Sequence, residues 1–185
     1  MYSDASITTS KFDPAAVCPT AAIANAVAAL SVGSAGLAAN AVTPGKMAQP
    51  LTQATAQNTT SGTFIDFTSI PSWVKRITVA LNGVSTTGSS VPQIQLGSTT
   101  VTTTGYTANV SSISAGAGGS TNMSTGFGLN NSGSSSASAA LSGVVTIANV
   151  SGNIWVASFS LSAGASITAF GGGVISLAGI LDRLR

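Results

Sequence analysis

The sequence predicts an all-β fold, an antiparallel sandwich or jelly-roll-like domain over residues 52–185 preceded by an Ala-rich extended or helical arm over residues 1–51. Three observations predict it. Past residue 52 the chain breaks into short runs of Val, Ile and Thr separated by Gly, Ser and Asn. Two of these runs alternate apolar and polar residues with the period of a half-buried strand. Charged residues make up 5% of the chain against 44% apolar, the reverse of a disordered segment.

Taken in order, the arm comes first. It carries two similar pieces, Ala-Ile-Ala-Asn-Ala-Val at 22–27 and Leu-Ala-Ala-Asn-Ala-Val at 37–42. Ile23, Val27, Leu30 and Leu37 fall at helical spacing and form a candidate oligomer seam. Ser34 interrupts that seam and Gly33 and Gly36 weaken a helix, so an irregular docked arm fits the pattern equally well. A short seam of this kind buries too little surface alone and needs identical neighbours or a host surface. Thr43-Pro44-Gly45 and Pro50 then break whatever precedes them and put the boundary near residue 52.

Candidate strands beyond it are Thr63–Thr68, Val74–Asn82, Gln93–Leu96, Thr99–Thr103, Thr125–Leu129, Ala139–Asn149, Ile154–Leu161, Ser166–Phe170 and Val174–Leu184. Ile77, Val79 and Leu81 alternate with Arg76, Thr78 and Ala80, and Asn82-Gly83 follows as a hairpin signal. Trp155, Ala157, Phe159 and Leu161 alternate with Val156, Ser158 and Ser160 after the turn Ser151-Gly152-Asn153. Ser111–Ser124 and Asn130–Ser138 lack periodicity and read as long surface loops. Trp73 and Trp155 read as core; Tyr106 and Phe127, flanked by Gly, read as possible surface-binding loop contacts.

Composition narrows the chemistry. There is no His and no Glu, the only carboxylates are Asp4, Asp13, Asp66 and Asp182, and Cys18 stands alone. Imidazole-dependent nucleophilic catalysis and a His/Cys zinc site cannot be assembled from that set. A glycosidase-type pair of Asp66 and Asp182 is arithmetically possible. Each reads better as half of an ion pair, with Lys75-Arg76 or Arg183. No cofactor is expected. The net charge of +2 is not gathered into a basic patch, so nucleic acid is not an expected partner. The charge-free run Pro14–Thr43 is too rich in Ala, Asn, Ser and Gly for a good membrane span and lacks the basic start of a signal peptide.

The string Asp66-Phe67-Thr68-Ser69-Ile70-Pro71-Ser72-Trp73-Val74-Lys75-Arg76-Ile77, with Leu181-Asp182-Arg183-Leu184-Arg185 as a second landmark, resembles a module of bacteriophage tail-fibre and related virion proteins. Asn40-Ala41-Val42-Thr43-Pro44-Gly45-Lys46-Met47 is similar to the stalk repeats of such fibres. The resemblance implies a non-catalytic structural component of a phage particle, a fibre-type appendage made in the host cytoplasm and carried on the virion. It implies a homo-oligomer, often a trimer, that joins other virion proteins through its arm and meets a bacterial surface glycan or protein through its β domain. The alternative is a head fibre or capsid decoration protein, which the short arm suits: fifty extended residues reach only about 170 Å. Modules of this kind usually continue past the Leu-Asp-Arg string, so the last strand is expected to leave an edge for a neighbouring chain.

Overall fold

The structure is a computed structural model that describes residues 51–60 and 62–185. The arm of residues 1–51, apart from Leu51, and the seam Ile23, Val27, Leu30 and Leu37 lie outside the described residues. Gln53–Arg185 form one compact unit. Its described residues hold no helix, and the all-β expectation is correct.

The strands in chain order are β1 (Arg76–Val84), β2 (Gln93–Ile94), β3 (Leu96–Ser98), β4 (Thr100–Val101), β5 (Thr107–Ser114), β6 (Ala117–Met123), β7 (Phe127–Gly128), β8 (Leu141–Ser151), β9 (Ile154–Ala163), β10 (Ile167–Ser176) and β11 (Arg183–Leu184). Six of them form an antiparallel sheet in the order β1-β8-β9-β10-β5-β6. A three-stranded sheet, β11-β3-β4, and the pair β2-β7 complete the unit. One hydrophobic cluster joins the layers: Val145, Ile147, Phe159 and Leu161 from the large sheet meet Leu96, Phe127 and Leu184 from the small ones and Leu181 from the segment before β11. The arrangement is sandwich-like, with a single core between unequal sheets.

Alternation explains the long strands. On β9, Trp155, Ala157, Phe159, Leu161 and Ala163 are all buried while Ile154, Ser158, Ser160 and Ser162 face outward. β8 and β9 are joined through the expected turn, where Asn149 Nδ2 donates to the carbonyls of Gly152 and Ile154 at 2.9 and 3.1 Å. Ile77, Val79 and Leu81 of β1 lie on the half-buried side, opposite Ile147, Val145 and Gly143 of β8.

Several expectations are corrected. Asn82-Gly83 is not a hairpin turn: β1 runs through it, with a bulge between Leu81 and Val84. Gly83 takes a φ of 69° there, and its N–H donates to Ser142 Oγ at 3.0 Å. Ser111–Ser124 is not a loop but most of the β5–β6 hairpin, closed by Ala115 and Gly116 with φ of 47° and 82°, the signs of a type I′ turn. Asn130–Ser138 is irregular as expected, yet Asn130, Asn131 and Ser135 are buried. Thr63–Thr68 contributes one bridge residue, Phe67, rather than a strand. Gln95 splits one expected strand into β2 and β3, and β10 runs unbroken through Gly171–Gly173. Trp73 sits half-buried in a turn closed by Val74 N–H to Pro71 O at 3.0 Å, and is not part of the hydrophobic cluster.

The last strand has no open edge. Phe67 and Leu184 exchange both backbone hydrogen bonds at 2.8 and 2.9 Å on one side, and Gln95 and Arg185 exchange theirs at 2.9 Å on the other. The expected gap for a neighbouring chain is therefore filled from within. Among the described residues, the edge strands of the large sheet are β1 and β6.

Candidate surface-binding face

Because one side of the large sheet is committed to the core, its other side is the broadest regular surface of the unit. Register carries its rows across all six strands. One row reads Ala80, Val144, Ser160, Phe170, Ser111 and Ser120; the next reads Thr78, Thr146, Ser158, Gly172, Asn109 and Asn122. Val144, Phe170, Val174 and Ile113 are exposed at 47, 40, 37 and 48%. Among the outward positions of these strands, Arg76 is the one charged side chain. The face thus offers hydroxyls, amides and isolated apolar groups without a field. The outward serines of β9 are legible in the sequence, whereas Phe170 is not, because Gly171–Gly173 divide β10 into two apparent strands, Ser166–Phe170 and Val174–Leu184.

Tyr106 and Phe127, the expected surface contacts, are both in the core, 4% and 0% exposed. Their rings meet edge to face, with centroids 5.1 Å apart and planes at 90°. The glycines that suggested a loop serve close packing. A Cβ on Gly126 would meet the Gln93 side chain, and one on Gly128 would meet Met123 and Val110. The Tyr106 hydroxyl accepts the Leu96 N–H at 2.7 Å, and burial pushes its pKa up to about 12.

The two carboxylates inside the unit are both spent on arginines. Asp66 pairs with Arg185, not with Lys75 or Arg76, through two bonds of 2.8 and 2.9 Å. Arg185 also lies 3.8 Å over the Phe64 ring. Asp182 pairs with Arg183 at 2.8 and 3.3 Å and accepts the Thr99 N–H. The hydrogen bonds from Arg185 and Arg183 hold Asp66 and Asp182, respectively, below the usual carboxylate range. A glycosidase acid needs the opposite shift. Among the described residues no three metal-ligating side chains gather, and no helix is long and apolar enough to cross a membrane.

Fold and face together define an all-β module with a broad, nearly uncharged sheet surface. No protein-family model, curated protein or solved structure matches the chain.

Proposed function

We propose that this chain is a non-catalytic structural component of a bacteriophage particle, a fibre-type appendage whose β domain attaches to the host cell surface. The observation that carries this reading is the outer face of the six-stranded sheet. Its hydroxyl and amide rows suit hydrogen bonding to a neutral surface polymer, and Phe170 offers an aromatic face among small residues. The two strings that carry the resemblance are halves of one clasp: Phe67 pairs with Leu184, Asp66 with Arg185, and Ile70 with Asp182. On this reading the arm trimerises the chain and joins it to other virion proteins.

Immunogold labelling of purified particles with an antibody to residues 53–185 tests the proposal. Label on a projecting appendage is the expected result. Label spread over the capsid would replace it with the decoration-protein alternative, and label confined to non-particle protein of the lysate would overturn both. Light scattering of the full chain should give three times the monomer mass; a monomer would remove the trimer.

A further inference from the structure

A second surface lies on the other side of the sheet, where residues 129–135 fold over the inner face of β5 and β6. The loop is tightly held. Ser112 Oγ donates to Asn130 Oδ1 at 2.6 Å, and the Asn131 N–H lies within 3.2 Å of both Ser112 Oγ and Asn130 Oδ1. Ser135 Oγ donates to Asn131 O at 2.9 Å, and Ser132 N–H donates to Thr121 Oγ1 at 3.0 Å. Between loop and strands is a groove of about 240 Å³ lined by Ser, Gly, Ala and Asn, with no charged residue.

Asn131 is only 4% exposed, and its amide is half used. Oδ1 accepts the Ser134 N–H at 2.7 Å, which orients the group and leaves both Nδ2 hydrogens without a protein acceptor. Nδ2 stands directly over β6, since a Cβ on Gly119 would lie 2.7 Å from it. Among the described residues, the hydroxyls of Ser114 and Ser134, which line the same groove, have no hydrogen-bond partner. The residue is nearly buried, so the part of its amide that meets solvent is the Nδ2 end, fixed at the groove by the loop's hydrogen bonds.

We propose that this groove binds a single neutral sugar ring, the terminal residue of a surface polysaccharide. The ligand class follows from the lining. With no cation present an anion gains nothing, and with few apolar side chains a hydrocarbon gains little. A ring bearing hydroxyls or an acetamido carbonyl supplies an acceptor for Asn131 Nδ2 and partners for Ser114 and Ser134. The side-chain-free Gly118-Gly119 stretch of β6 leaves room for the ring beside the Asn131 amide that covers Gly119. The inference rests on the attachment role proposed above and names its chemistry and place.

The test is an NMR titration of the isotope-labelled full chain with glucose, galactose and N-acetylglucosamine, and with oligosaccharides ending in each. One sugar should shift the Asn131 side-chain amide pair and the Gly119 and Ser134 backbone amides saturably, with the same affinity at high salt. Equal affinity for a free sugar and its terminal form identifies the end residue as the unit bound; a free sugar that binds while the chain-linked form does not overturns the polysaccharide assignment. Asn131→Asp keeps the acceptor for the Ser134 N–H and removes the donor. It should weaken binding about tenfold, the equivalent of one neutral hydrogen bond, with the Ser134 amide in place as the check of folding. Ser114→Ala, which leaves the loop's bonds intact, should weaken binding severalfold. No shift with any sugar at its solubility limit, or unchanged affinity in both variants, overturns the inference. If the groove stays empty while the chain still adsorbs to bacterial cells, the groove falls and the attachment role stands. A sugar bound by a chain that adsorbs to no cell has the reverse meaning.

Discussion

Replacing Tyr106 by Phe removes one oxygen atom and leaves the ring, with its edge-to-face contact to Phe127, in place. The oxygen matters because of what it serves. Leu96 is wholly buried, and its carbonyl accepts the Thr102 N–H at 2.9 Å while its N–H, where a strand partner would stand, is met by the Tyr106 hydroxyl at 2.7 Å. Tyr106→Phe leaves that N–H buried without a partner, a loss of about 1–3 kcal/mol. The effect should also depend on pH. The folded-state pKa of about 12 lies above the ordinary 10.0, so the contribution is fully present below pH 10 and is lost as the pH rises toward 12. The loss is at most about 2.7 kcal/mol for two units, and less where solvent enters the shallow groove that Tyr106 shares with Asn122 and Ser124. Urea unfolding of the two proteins across the alkaline range is the assay. The wild type should be the more stable at pH 8, and the gap should close toward pH 12. A difference below about 0.5 kcal/mol at pH 8, or a gap that does not change with pH, would refute the hydroxyl as the cap of Leu96.

Three further outcomes are expected. Leu184→Ala, at a 5% exposed position of β11, should cost about 2–5 kcal/mol in denaturant unfolding; a cost below this would mean that β11 does not seal the core. Gly172→Ala should destabilise by about 1–3 kcal/mol or more, because the new Cβ would stand against the Ala157 carbonyl of β9; an unchanged melting temperature would show that β10 can shift away. Asp66→Asn should flatten the acid side of the stability curve. Asp66 is held below its usual pKa, so its contribution is present above the ordinary carboxylate range and lost as pH falls through the lowered value; parallel acid melting curves for wild type and variant would contradict the Arg185 pairing.

What could be read from the sequence followed hydrophobic contrast. β9 shows it at every step, with large apolar residues on one side and serines on the other, and β1 and β8 show it well enough to be found. The β5–β6 hairpin carries almost none. Val110 and Ser112 are its fully buried residues, β6 is an edge strand of Gly, Ser, Thr and Asn, and its turn is Ala115-Gly116 rather than Asn-Gly. The stronger dipeptide, Asn82-Gly83, was spent on a bulge, since a positive φ at glycine serves either purpose. Tyr106 and Phe127 were misplaced for a related reason: glycine beside an aromatic marks a close approach as often as a loop. Asn131 left no signal at all, because its burial depends on a fold-over that only the tertiary structure defines.

The clasp between the two landmark strings also sets a schedule. Asp66 and Arg185 are 119 residues apart, so a ribosome adding about 5–20 residues per second needs about 6–24 s between making the first and making the second. Through that interval Phe67, Ile70 and Leu96 exist without the strand that lies between them, and the small sheet cannot close. Pairings this distant in sequence also slow folding after synthesis. A cell making many copies at once would therefore hold a pool of nascent chains with one face unsealed, at the stage when copies of the same chain are closest together.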